Sequence, residues 1–194
     1  MPFHNILALG CAFEVHEQLY GSMEAISQHT MSLAKHMFEG LSNLRHPSGH
    51  PICVIYNDNV DTAPYTDPIT QGAIIAFNIY NADGTIIPCD LVEKLANERR
   101  IFLRSGGLCN PGGIATYLKI EPWQFMRAWS AGHRCSSLEN SYYIINGTAH
   151  GVLRASLGGM STLVCGKPYK PFSKILTVMQ AEVDALVNFL KTSF

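Results

Sequence analysis

Residues Gly72 to Tyr80 read GAIIAFNIY. The run is apolar, carries β-branched and aromatic residues, and stops after nine positions, which marks a long buried strand. The turn NADG, Asn81 to Gly84, closes it. Such a strand needs partners at its edges and cover over its faces.

Candidate partners lie on both sides in sequence. ICVIY, Ile52 to Tyr56, reads as a strand that leaves the turn HPSGHP, His46 to Pro51. NDNVDTAPYTDP then forms a polar loop. IFLR, Ile101 to Arg104, and GVLRASL, Gly151 to Leu157, read as two further strands. Helix signals surround them. Ile6, Leu9, Phe13 and Tyr20 lie roughly on one face of an opening helix, which Gly21-Ser22 breaks and caps. Met23, Ile26, Leu33, Met37 and Leu41 follow at helical spacing. A short helix is expected near Asp90 to Arg100, and two more after Cys109, the second starting near Pro122. Phe172, Ile175, Met179, Val183, Leu186 and Leu190 make a closing amphipathic helix. No repeat or linker interrupts the pattern. Residues 1–194 are therefore expected to form one domain of α/β or α+β class, a small sheet flanked by helices.

Composition agrees. Apolar residues make up 47% of the chain and charged residues 15%, a globular balance. The net charge of −1, with no basic cluster, argues against nucleic acid or an acidic membrane surface as a partner. No apolar run approaches a membrane span, and the N-terminus has no signal-peptide pattern, so a cytoplasmic location is expected. The six cysteines, at 11, 53, 89, 109, 135 and 165, form no C-x-x-C pair. Most are expected to be ordinary small buried residues rather than a disulfide framework.

The chemistry concentrates in LRSGGLCNPGG, Leu103 to Gly113. Arg104 closes the expected strand, where a buried charge needs a partner. The glycines, Gly106 among them, permit unusual backbone angles and close approach to a ligand. Cys109 precedes Asn110-Pro111, where a helix can begin. A helix N-terminus and a nearby guanidinium both stabilise a thiolate, so the loop suits a reactive nucleophile. Composition alone favours a glycine-rich turn with an inert thiol.

The loop resembles the cysteine loop of the molybdenum cofactor sulfurases, a branch of the class V aminotransferase and cysteine desulfurase family. The pattern there is approximately L-R-T-G-C-F-C-N-P-G. AGHRC, Ala131 to Cys135, resembles a downstream A-G-H-x-C element, and GVLRASLGGMSTL, Gly151 to Leu163, a G-x-V-R-x-S-x-G-x-M-S-T-L element. FHNILAL and GAIIAFNIYNADG match an opening helix and a central strand. These elements fall in family order along nearly the whole chain. Three departures stand out: Gly107 and Ile114 replace family cysteines, and VCGKPYKPFSK lengthens the loop before the last helix.

The resemblance implies the fold of the C-terminal small domain of a fold type I pyridoxal phosphate enzyme. It implies that Cys109 takes sulfur as a persulfide and that Arg154 grips a substrate carboxylate. Arg104 would frame the same pocket, with Gly106 and Asn110 beside it, and His133 would steady the loop or handle a proton. The residues that hold pyridoxal phosphate in the family lie upstream of the segment this chain resembles. None of the seven lysines, at 35, 94, 119, 167, 170, 174 and 191, matches the cofactor lysine. No covalently bound cofactor is expected, and pyridoxal phosphate would come only from a partner.

Three readings follow. The chain transfers sulfur together with a cofactor-bearing partner. Or it is a repurposed enzyme without pyridoxal phosphate, acting on a small metabolite through Cys109, His133, His150 or the arginines. Or it is a non-catalytic binding module or a fragment. A metal site from Cys109, His133, Cys135 and His150 lacks any zinc-type spacing, so no metal is expected. A large-domain partner or a second copy would cover the apolar face of the opening helix and the strand that ends at Tyr80.

Overall fold

The computed structural model describes residues 2–58, 64–132, 144–145, 148–161 and 182–194. It begins with two helices, α1 (Phe3–Tyr20) and α2 (Met23–Ser42). Their junction is fixed locally. Gly21 takes a φ of +78°, and the Ser22 hydroxyl accepts a hydrogen bond from the Ala25 N–H at 3.1 Å. That oxygen satisfies one of the donors that the first turn of α2 leaves open.

Four strands form the main sheet: β1 (Cys53–Tyr56), β2 (Ile74–Ile79), β3 (Arg104–Gly106) and β6 (Val152–Ser156). Their order is β1-β2-β6-β3, and every neighbouring pair is antiparallel. A separate hairpin pairs β4 (Ile144–Ile145) with β5 (Thr148–Ala149). The remaining helices are α3 (Cys89–Glu98), α4 (Pro111–Leu118), α5 (Pro122–Ser130) and α6 (Glu182–Ser193). The expected small sheet flanked by helices is present, in its α+β form.

Register assigns the side chains to two faces. Phe77 pairs with Ile55 on one side and Leu153 on the other, and Ser105 pairs with Leu153. This face meets α2, α3 and α6 in the main core, where Leu41, Phe77, Val92, Leu153 and Leu190 are fully buried. Helices α2 and α6 come close at Gly40, where a Cβ would lie 2.9 Å from Val187 Cγ2. The opposite face is covered by a smaller cluster in which Val152 packs with Ile114 and Ile120, joined by Leu108 and Phe125. Burial also silences two thiols: desolvation pushes Cys89 up to about 12 and raises Cys53 as well.

Several expectations need correction. The strand expected over Ile101 to Arg104 begins where it was expected to end: β3 starts at Arg104. Arg104 is exposed, not buried. The side chains of this stretch do alternate, since Ile101 and Leu103 are buried while Phe102 is 81% exposed. Ladder pairing with β6 begins only at Arg104. The β4–β5 hairpin was not foreseen. β2 has both edges paired, to β1 and β6, and buries Phe77 and Ile79 on one face, while Ile74 on its other face is exposed. Helix α1 has no buried residue, and Phe3, Ile6, Leu9 and Phe13 are all exposed. Of the closing helix, Leu186 and Leu190 sit in the core, while Phe172, Ile175 and Met179 lie outside the described residues.

Candidate functional site

The stretch from Arg104 to Pro111 runs from the edge strand β3 into helix α4. Gly106 ends the strand opposite Val152, with a φ of +103°. The chain then reverses through Gly107-Leu108-Cys109-Asn110. The Asn110 N–H bonds the Gly107 carbonyl at 3.0 Å, and Leu108 and Cys109 have φ of +53° and +55°. Positive φ at both central residues marks a type I′ turn, which glycine and asparagine favour. Here a leucine and a cysteine adopt it. Left-handed backbone at a residue with a Cβ costs about 1–2 kcal/mol, so the surroundings must impose it.

The anchors are visible. Leu108 packs into the cluster of Ile114, Ile120 and Val152. Asn110 caps α4, its Oδ1 accepting from the Gly113 N–H at 3.0 Å. Position 113 has to be glycine for that contact, since a Cβ would lie 2.5 Å from Asn110 Nδ2. Pro111 supplies the first helical position, as expected. The turn thus holds Leu108 inward and leaves the Cys109 thiol exposed, one residue ahead of the helix cap.

Because the strain belongs to the backbone, Cys109→Gly is expected to be more stable than Cys109→Ala by about 1 kcal/mol. Neither variant has the thiol, so the difference isolates the turn. Equal urea midpoints would show that residue 109 is not left-handed.

The arginines come together. In the β3–β6 ladder Arg104 is the direct partner of Arg154, so both side chains leave the same face of the sheet. The row continues through Ala76 to Tyr56. Arg104 is exposed and Arg154 is partly buried, with its Nε enclosed and lacking a hydrogen-bond partner among the described residues. The salt bridge found among the described residues is elsewhere, between His36 and Asp184. Acids near the sheet are engaged otherwise: Glu93 accepts from the Ser105 hydroxyl, and Asp58 accepts from the Tyr117 hydroxyl.

Residues that sequence reading missed sit on the same face. Asn78 is buried and donates from Nδ2 to the Tyr56 hydroxyl and the Gly151 carbonyl, each at 3.1 Å. Desolvation, together with a hydrogen bond to Tyr80, pushes the Tyr56 phenol up, so it stays a neutral hydroxyl. Tyr117 of α4 lies beside Tyr56, its ring tilted by 43° with centroids 5.7 Å apart. Only the strand register links these residues to Arg154, and register was not readable in advance.

His150 is buried, with Phe125 edge-on at 5.9 Å, which is the setting of a core histidine. His133 and Cys135 lie outside the described residues. Among the described residues no group of three or more His, Cys, Asp or Glu could hold a metal. No helix among them is long and apolar enough to cross a membrane.

Comparison with known proteins now bears on this geometry. A molybdenum cofactor sulfurase of Aspergillus niger is 46% identical over 163 residues, 84% of this chain and 19% of the relative. One of Aspergillus fumigatus is 44% identical over 190 residues, 98% of this chain and 22% of the relative. One of Neurospora crassa is 39% identical over 191 residues, 98% and 18%. The chain is a homologue of one segment of the molybdenum cofactor sulfurases. It spans about a fifth of the length of the sulfurases it matches. No family model and no solved structure matches the chain.

Proposed function

We propose that the chain supplies the sulfur-accepting and acid-binding half of a sulfurase site, working with a cofactor-bearing partner. One observation carries this reading: the ladder sets Arg104 opposite Arg154 on the strand that leads directly into the exposed Cys109 turn. A guanidinium fork suits a carboxylate, and the Arg154 Nε still needs an acceptor. Cys109 is the acceptor thiolate. In the overall exchange a substrate thiol R–SH and the Cys109 thiolate become R–H and the Cys109 persulfide anion. The C–S bond breaks with its electron pair left on carbon, which takes the proton, and an S–S bond forms.

Leaving an electron pair on carbon requires an electron sink, which pyridoxal phosphate supplies in such chemistry. The described lysines do not fit that cofactor: Lys35, Lys94, Lys119 and Lys191 are all exposed, whereas a Schiff-base lysine is activated by desolvation in a pocket or by a cationic neighbour. In this proposal the cofactor is held by another polypeptide segment. Helix α1, eighteen residues with none buried, is the surface on which that segment would dock. A molybdenum cofactor would be the final destination of the sulfur, as the relatives' name indicates.

The test mixes the chain with a cofactor-bearing large domain of a relative and L-cysteine, then maps persulfide by peptide mass after alkylation. One added sulfur atom on the Cys109 peptide is the expected result. Persulfide on other cysteines only, or the same yield from Cys109→Ala, would remove Cys109 from the reaction.

A further inference from the structure

We infer that the paired arginines select a compact ligand with two negative charges, rather than a simple monocarboxylate. The inference rests on the reading of Arg154 as an acid-binding residue and adds a role for Arg104. Directly opposed residues in an antiparallel pair have Cβ atoms about 4.5–5.5 Å apart, and like charges there destabilise the sheet. A fold that places two guanidiniums in this position holds a repulsion that an anion between them relieves.

Among the described residues the pair has no internal counter-charge. Among the described residues no carboxylate forms a salt bridge with either arginine, and Glu93 and Asp58 are committed to Ser105 and Tyr117. The Arg154 Nε is enclosed and unbonded. Small residues border the pair on its face. Ala76 lies beside Arg154 in the row, Gly106 lies two places along β3 from Arg104, and Ser156 lies two places along β6 from Arg154. Ser156 and Ile74 at that end of the sheet are exposed, so the face is open to solvent there.

Two forks a strand apart can each take one acid group. A single carboxylate satisfies one fork and leaves the other repelling it only in part. A ligand with two acid groups on the same or neighbouring carbons, or a phosphate, satisfies both. For a sulfur donor this means an α-carboxylate on Arg154 and an ionised side-chain acid or thiolate on Arg104.

Titration of the folded chain with malonate, acetate and inorganic phosphate at constant ionic strength tests this, followed by amide shifts or calorimetry. Malonate is expected to bind at least about tenfold more tightly than acetate, since a second charge-assisted fork adds well beyond the statistical factor of two. Arg104→Gln should shrink that ratio to about twofold while acetate affinity changes little. Arg154→Gln should remove both. Arg104 is exposed, so its removal leaves the fold intact. In anion-free buffer Arg104→Gln should melt no lower than the parent, and malonate should raise the melting point of the parent more than that of Arg104→Gln. Phosphate stronger than malonate assigns the pair to phosphate esters, and the reverse to diacids. Equal affinity for malonate and acetate, or an unchanged ratio in Arg104→Gln, overturns the inference. Cys109→Ala should retain malonate binding, so failure of the sulfur-transfer reading would appear separately.

Discussion

Phe77→Ala is expected to lower folding stability by about 3–5 kcal/mol, enough to bring the domain close to unfolding. Phe77 is fully buried at the centre of β2, with Ile55 and Leu153 as its cross-strand neighbours. The ring joins the two edges of the main core, so its loss leaves a cavity that three strands and the helices above them would all have to close. Collapse is difficult because the strands are tied by ladders on both sides of β2. The control is Ile74→Ala on the same strand. Ile74 is 53% exposed and points to the other face, so its truncation should cost less than about 1 kcal/mol. Urea unfolding of both variants, with slopes matching the parent, measures the difference. Similar losses for the two would mean that the assignment of faces is wrong.

That assignment was partly legible in the sequence. Strand periodicity found GAIIAFNIY and GVLRASL to within two residues of β2 and β6, because burial of alternate or successive apolar side chains is a local pattern. The same pattern misled at IFLR. Ile101 and Leu103 do face the core, but a strand is defined by pairing, and pairing depends on where β6 arrives from far along the chain. Register is non-local for the same reason, so the placement of Arg104 opposite Arg154, and of Tyr56 in their row, had no local trace. The turn hid its key feature in another way. Four glycines near Cys109 suggested that they would carry the unusual backbone, yet Leu108 and Cys109 themselves are left-handed. Helix α1 shows the remaining limit. Its apolar residues predict that something covers them, and their exposure shows that no described part of this chain does.

Cys109 is expected to be the fastest thiol to alkylate, by at least about 100-fold over Cys53 and Cys89. The argument starts with the slow sites. Only the thiolate reacts, and burial holds Cys89 near 12, so at about pH 8 roughly one molecule in ten thousand presents it. Cys53 is raised by the same desolvation and is buried in the core. Raising the pH toward 12 should narrow the gap to Cys89 as its thiolate population grows, unless the domain opens first. Exposure alone does not single out Cys109, because Cys11 on α1 is exposed too. Cys11 therefore decides the matter. It sits within a helix where the backbone donors are already bonded, while Cys109 stands just ahead of the positive end of the α4 dipole on the turn that follows Arg104. With limiting iodoacetamide and labels located by peptide mass, Cys109 should exceed Cys11 by about fivefold or more. High salt should reduce that advantage, since it screens the exposed Arg104 charge. Equal rates at Cys11 and Cys109, insensitive to salt, would make Cys109 an ordinary surface thiol and leave its strained turn without a chemical purpose.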